Sequence, residues 1–193
     1  MNAIPNPIPA RHRGLNRAEI CDQNFIEHVR EWNGNVRAAP LPDQPVLPGS
    51  GCSAAAFVDL FESQLISRHL DLMARVLRVK NKVFYTIGSS GHEGNALVAR
   101  LTRHTDPAFL HYRSGAFMAE RFRKLPGMDP VMDSALSFAA SKEDPASGGR
   151  HKVFGRHDLA VIPQTSTIAS HLPRAVGVAF AIGRAGRLGV ESP

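Results

Sequence analysis

From Ser53 to Lys80 the chain carries neither proline nor glycine, and this uninterrupted stretch constrains the fold more than any other feature. Phe57, Leu60, Phe61, Leu65, Leu72, Met73, Val76 and Leu77 recur there at helical steps of three and four, and Ser53 stands where an N-cap hydroxyl belongs. The pattern predicts a long amphipathic helix over residues 53–80, with that apolar stripe in the core. Upstream the opposite holds. Seven of the 14 prolines fall between Pro5 and Pro48. Each removes a backbone donor and turns its predecessor away from helix. Between them, Ala18 to Trp32 reads as one helix, with Ile20, Phe25, Val29 and Trp32 roughly on one face. Residues 1–50 therefore read as a proline-rich extension that packs on something else, and residues 51–193 as the body.

In the body, helix and strand signals alternate. Ser90 and Glu93 have the spacing of a capping box, so a helix is expected from Ser90 to near Arg103. Ala108–Tyr112 reads as a short strand after the Asp106-Pro107 turn, and Gly115–Lys124 as a helix. Asp129-Pro130 supplies the cap and first residue of a helix reaching Ala140. Residues 141–157 are polar and glycine-rich, hence a loop; Leu159–Ile162 is a short buried strand. Ser170–Arg187 is a helix dense in small residues, among them Ala175, Gly177, Ala179, Ala181 and Gly183. This alternation is the α/β pattern. The sequence stops at Pro193 without the strand an α/β unit would place next, as expected of a fragment.

Composition excludes several classes. With 193 residues, 43% hydrophobic and 21% charged, the chain has enough apolar material for a packed domain. No run approaches the roughly 20 apolar residues of a membrane helix, and the N-terminus has no secretory h-region. Cys21 and Cys52 are too few for a disulfide framework or a cysteine zinc site, so a reduced, cytoplasmic setting is expected. The net charge is +6; residues 1–50 are balanced, and the excess lies in 51–193. That excess suits an anionic partner, or is simply a solvated surface. The basic residues form no stripe with aromatics and no nucleic-acid module motif appears, so nucleic acid is not expected.

No Walker A loop, GxGxxG turn, GxSxG elbow, or His-x-x-x-His or Cys-x-x-Cys pair occurs, and His69, His92, His104, His111, His151, His157 and His171 are scattered. Two candidates remain. Tyr112-Arg113 stands between a strand and a glycine-opened helix, where ligands gather in open α/β sheets, and an arginine there offers a planar fork to phosphate. The alternative is a structural arginine paired with a carboxylate such as Glu93. The second candidate is the hydroxyl-rich turn Pro163 to Ser170, containing Thr165, Ser166 and Thr167. It suits a monovalent cation or the polar ring of a cofactor. Alternatively it is capping, with Ser170 as N-cap.

The order of these blocks carries a resemblance. Phe84-Tyr85 is followed by Gly91-His92-Glu93-Gly94, Leu110-His111-Tyr112-Arg113, Gly148-Gly149-Arg150 with Phe154-Gly155, and the run from Thr165 to Gly177. Together they resemble the thiamine-diphosphate-dependent dehydrogenase component of 2-oxo acid dehydrogenase complexes, in its α subunit or α half, nearest the branched-chain type. The final block is the most specific; the family has Ser-Pro-Leu-x-Thr-Gln there, and Thr167, Ser170 and His171 stand in place of its proline, threonine and glutamine. The resemblance covers residues 53–187. It implies a pyrophosphate-type thiamine-diphosphate-binding α/β domain, truncated before the Gly-Asp-Gly magnesium motif and completed by a β subunit or β half. It implies that Tyr112 and Arg113 reach the diphosphate, and that Ser166 and the Ile168 backbone approach the aminopyrimidine. Thr165, Ser166 and Ser170 would form a potassium site, and Gly148–Gly155 would lead toward the active-site entrance. The implied activity is oxidative decarboxylation of a 2-oxo acid, with acyl transfer to the lipoyl group of an acyltransferase in a homo- or hetero-oligomer. This stretch alone would lack parts needed for catalysis. The rival readings are a pyruvate or acetoin type of the same enzyme, and a non-catalytic interaction module whose basic face binds an acidic partner or nucleic acid.

Overall fold

The computed structural model describes Gly14, residues 16–34 and residues 40–190. Pro5, Pro7, Pro9 and the last three residues lie outside them. The chain divides into two units, Met1–Ala39 and Pro40–Pro193. The division falls before residue 50 because residues 42–46 bond to the start of the second unit's first helix. Val46 N donates to Cys52 O at 2.9 Å, and Ala54 N to Gln44 O at 2.8 Å.

The first unit contains α1 (Arg17–Arg30). A complete capping box starts it: Glu19 N donates to Asn16 Oδ1 at 3.0 Å, and Asn16 N donates to Glu19 Oε2 at 2.8 Å. Phe25, Ile26, Val29 and Trp32 are exposed.

In the second unit α2 (Ala54–Val79) is capped as expected, Ala56 N donating to Ser53 Oγ at 3.2 Å. Its buried face differs from the expected one. Leu60, Ser63, Ser67, Asp71 and Ala74 point inward, while Phe57, Phe61, Leu65, Met73 and Val76 are exposed. The reason is the close approach of α4 (Gly115–Phe122): a Cβ on Gly115 would collide with Ser67 Oγ. Small hydroxyls admit that approach and find partners on α4 and in the 88–89 loop. Ser63 Oγ donates to Glu120 Oε2 at 2.7 Å, and the Ser67 and Ser89 hydroxyls are 2.6 Å apart.

The expected capping box at Ser90 does not form, and α3 (Asn95–Leu101) starts later than predicted. Glu93 Oε2 instead accepts from Gly91 N at 2.7 Å, with Gly91 in the left-handed region at φ +87°. The expected strand 108–112 shortens to β1 (Ala108–Phe109), because Ser114 N turns back to His111 O at 2.9 Å. Asp129 caps α5 (Pro130–Phe138) by accepting from Val131 N at 2.8 Å and Met132 N at 3.2 Å. A 3-10 turn at His157–Leu159 and a left-handed Ala160 precede β2 (Val161–Ile162), which pairs in parallel with β1, Ala108 opposite Val161. The last helix, α6 (His171–Leu188), buries no residue. Ser170 does not cap it by side chain; its hydroxyl donates to Thr167 O at 2.8 Å. The described second unit is therefore mainly helical, around one two-stranded parallel pair. No described helix is long and apolar enough to cross a membrane.

The core is centred on α4, whose residues Ala116 to Phe122 are all buried. Phe117, Met118 and Phe122 pack with Ala99, Ala108, Leu159 and Val161. The charges on this helix are hydrogen-bonded, except that Arg121 Nε is buried without a partner. Glu120 accepts from Arg100 Nη1 at 2.8 Å, and the Arg121 guanidinium donates to the carbonyls of Arg103 and Asp106 and to Thr102 Oγ1.

Candidate functional site

The site is assembled where β1 runs out and α4 begins. It rests on Asp71, a buried carboxylate of α2 whose Oδ2 accepts from Ser89 N at 2.7 Å and Ser89 Oγ at 2.8 Å. The neighbouring Gly88 lies so close that a Cβ on it would sit 2.7 Å from Asp71 Oδ2. Gly88 O in turn accepts from Arg113 Nη1 at 2.6 Å. A chain of contacts thus runs from α2 through the 88–89 loop to the guanidinium, which lies 5.3 Å from the centre of the Tyr112 ring. Glu93, the carboxylate considered as a partner, is engaged with Gly91 N instead. Among the described residues no carboxylate pairs with Arg113, so the reading of a structural ion pair is set aside.

Two further basic side chains gather around it. The His111 ring lies 3.8 Å from that of Tyr112 and stacks 5.9 Å from His92. Burial first, then the charges of His92, Arg113, His171 and Lys152, hold His111 below the usual histidine range. Lys152, only 7% exposed, donates from Nζ to Tyr112 O at 2.9 Å. Its Nζ lies 4.3, 5.2 and 5.3 Å from the ring centres of Phe154, Tyr85 and Phe138. Burial brings its ammonium down to about 8, Arg113 pushing the same way and Asp71 opposing. Arg113 and Lys152, each bonded to a carbonyl and to no carboxylate, give this strand end and helix start a field suited to a polyanion.

The second candidate, the turn Pro163 to Ser170, is only partly brought to this place. Ser166 Oγ lies 2.6 Å from His151 Nε2, and Ser166 N donates to the same nitrogen at 3.2 Å. A backbone N–H only donates, so Nε2 is an acceptor and the imidazole proton sits on Nδ1. Ser166 also bonds to Tyr85, whose phenol is raised by burial despite that bond. Ser166 therefore stands beside the Tyr85–Lys152 group, whereas the Ile168 side chain is exposed. Thr165 Oγ1 and Ser170 Oγ are 3.3 Å apart, but the Ser166 hydroxyl turns away to His151. The three hydroxyls expected to share a potassium ion thus do not converge. Among the described residues no group of three or more histidines, cysteines or carboxylates could hold a metal.

The sequence singled out Tyr112, Arg113 and Ser166, and the structure sets Asp71, His151 and Lys152 around them. A polar face at Ser63, Ser67 and Asp71 was the readable signal for the first. The other two lie in the 141–157 loop and carried no local signal.

No family model and no solved structure matches the chain. Among curated proteins it is similar to the 2-oxoisovalerate dehydrogenase subunit alpha of Bacillus subtilis (strain 168), with 30% identity over 129 residues. The match covers 64% of this chain and 37% of that protein, so the likeness is to little more than a third of a 2-oxo acid dehydrogenase subunit.

Proposed function

We propose that the chain supplies the diphosphate-binding part of a thiamine-diphosphate-dependent 2-oxo acid dehydrogenase of the branched-chain class. The observation that carries this reading is Arg113: a guanidinium fixed by Gly88 O at 2.6 Å, stacked beside Tyr112 and left without a carboxylate partner among the described residues. The similarity to a 2-oxoisovalerate dehydrogenase subunit supports it. The donor set around Arg113 fits a diphosphate, because it is cationic and immediately precedes the start of α4. The turn does not fit a potassium cage, and no role is assigned to that ion. Magnesium ligands are not found among the described residues.

When bound, thiamine diphosphate would supply the electron sink for decarboxylating a 2-oxo acid, the acyl group passing to a lipoyl carrier. This chain's residues bind and orient. Arg113 presents its fork to phosphate oxygens while Gly88 O holds Nη1. His111, held below the usual histidine range by burial and then by its cationic neighbours, packs beside the Tyr112 ring. Ser166, held by His151 Nε2 and by Tyr85, lines the way to the ring end. A β subunit or half and a lipoyl acyltransferase would be the partners, and the exposed Leu172, Val176 and Phe180 of α6 fit burial against further protein.

The test is calorimetric titration of the full chain with thiamine diphosphate and magnesium. A charge-assisted phosphate contact is worth about 1.5–3 kcal/mol, so Arg113→Ala weakens binding about tenfold or more. Thiamine without its diphosphate binds wild type and variant alike. Equal affinity of wild type and variant for thiamine diphosphate refutes the assignment.

A further inference from the structure

The turn Pro163 to Ser170 contains one arrangement that binding a diphosphate does not use. Ser166 Oγ lies 2.6 Å from His151 Nε2. The Ser166 N–H donates to the same nitrogen at 3.2 Å, which makes Nε2 an acceptor and leaves the imidazole proton on Nδ1. The Ser166 hydroxyl therefore donates its proton to Nε2. A hydroxyl that gives its hydrogen bond to an imidazole lone pair has the resting geometry of a nucleophile beside its general base. His151 is exposed and Ser166 half-buried, so the pair is open to a molecule arriving from solvent.

Both residues are held by their own segments. His151 N donates to Ser147 Oγ at 3.1 Å, and Ser147 N to Oδ2 of the buried Asp144 at 3.1 Å. In the turn, Ser170 Oγ donates to Thr167 O at 2.8 Å, and Ala169 is left-handed at φ +64°, a conformation alanine seldom takes. Backbone strained in this way clusters at functional sites.

We propose that Ser166 and His151 form a nucleophile–base pair that cleaves small carboxylic esters. Ser166 Oγ attacks the ester carbonyl carbon as its proton passes to His151 Nε2, and the carbonyl π pair moves onto oxygen. Once protonated, Nε2 no longer accepts from the Ser166 N–H. That amide is released beside the new Oγ–C bond, and a nucleophile's own N–H is a recurrent donor to such an oxyanion. The Tyr85 hydroxyl, bonded to the same serine, is a second donor at hand. Collapse of the intermediate breaks the bond to the alcohol oxygen, which takes the Nε2 proton and leaves an acyl-serine. Water then attacks the acyl carbon and gives one proton to Nε2. That proton returns to Ser166 Oγ as the carboxylic acid departs. Water is the only co-reactant consumed.

The test uses the full chain with p-nitrophenyl acetate and no thiamine diphosphate, so it stands or falls separately from the cofactor reading. After an acid quench, peptide mass mapping should place the acetyl group on Ser166. Diisopropyl fluorophosphate, which selects activated serines, should label the same residue. His151→Gln removes the base and keeps the serine, and should slow acetylation of Ser166 about a hundredfold, the lower end of a general base's worth. Ser166→Ala should lower ester turnover by about the same factor, and the double variant should be no slower than either single one, because the two residues act as a unit. Thr167→Ala, which changes an exposed side chain of the same turn, should leave the rate unchanged. Acetyl groups found on His151 or on lysines with none on Ser166 overturn the proposal. Acetylation of Ser166 at an unchanged rate in His151→Gln overturns it as well, and makes the pair a structural hydrogen bond.

Discussion

The contact chain from Asp71 to Arg113 makes a quantitative prediction. Asp71→Ala removes a carboxylate that accepts two hydrogen bonds from Ser89, at 2.7 and 2.8 Å. Ser89 is 2% exposed, so water does not replace them. Its hydroxyl keeps Ser67 at 2.6 Å, but its N–H is left with no partner. A buried donor stripped of its acceptor costs about 1–3 kcal/mol, and the second bond and the vacated volume add to this. The expected destabilisation is about 3 kcal/mol, a fall in Tm of about 6–12 °C for a chain of this size. A second effect is local. With the 88–89 loop slack, Gly88 O no longer fixes Arg113, so diphosphate affinity falls in the molecules that stay folded. Ser63→Ala is the control: it breaks a bond from the same face of α2, to Glu120 at 2.7 Å, and touches nothing at the site. Thermal melts and thiamine diphosphate titrations well below both melting temperatures separate the effects. Asp71→Ala should lose stability and affinity, Ser63→Ala stability alone. A Tm within about 2 °C of wild type for Asp71→Ala, or equal affinity losses in the two variants, refutes the reasoning.

Gly88→Ala places a Cβ 2.7 Å from Asp71 Oδ2 and 2.8 Å from its Cγ, so it should destabilise by about 1–3 kcal/mol, and by less in an Asp71→Ala background where the clash is gone. Melts of the four members of that cycle check it. His111 is held below the usual histidine range, so the unfolded chain takes up its proton first as pH falls. The stability it contributes is present above about pH 6.5 and is lost as pH falls through the lower folded value. His111→Asn should therefore flatten the acid side of a Tm–pH profile below about pH 6.5 and leave the neutral side unchanged.

What was legible in the sequence was what local chemistry decides. Asp129-Pro130 reads as a helix start because both signals act within three residues, and the structure has the cap as expected. Tyr112-Arg113 stood out as a candidate because a glycine-opened helix follows it, although the strand before it ends already at Phe109. The inward face of α2 could not be read, because hydrophobicity alone selects Phe57, Phe61 and Met73. Ser63 and Ser67 face inward only because Glu120 and Ser89 await them 57 and 22 residues away. The capping box at Ser90 and Glu93 failed for a related reason: Asp71 recruits Ser89, and Glu93 closes on Gly91 instead. Lys152 was invisible because its acceptor lies 40 residues away and its aromatic surroundings come from three separate segments.

These non-local pairs share a purpose. Ser63, Ser67, Asp71, Glu120, Arg121 and Lys152 are buried, while Phe57, Phe61, Val176 and Phe180 are exposed, which inverts the usual distribution. Apolar packing would hold α2 against α4 at least as strongly, since buried charges seldom add stability over well-packed hydrocarbon. What hydrocarbon does not do is fix the direction of a backbone carbonyl. Directional bonds from Asp71 to Ser89 determine where Gly88 O points, and Gly88 O determines where the Arg113 fork points. Outward-facing apolar residues on α2 and α6 answer a different demand, because they gain their burial only from another surface. The interior therefore gives up some stability for the direction of the Gly88 carbonyl and, through it, of the Arg113 guanidinium.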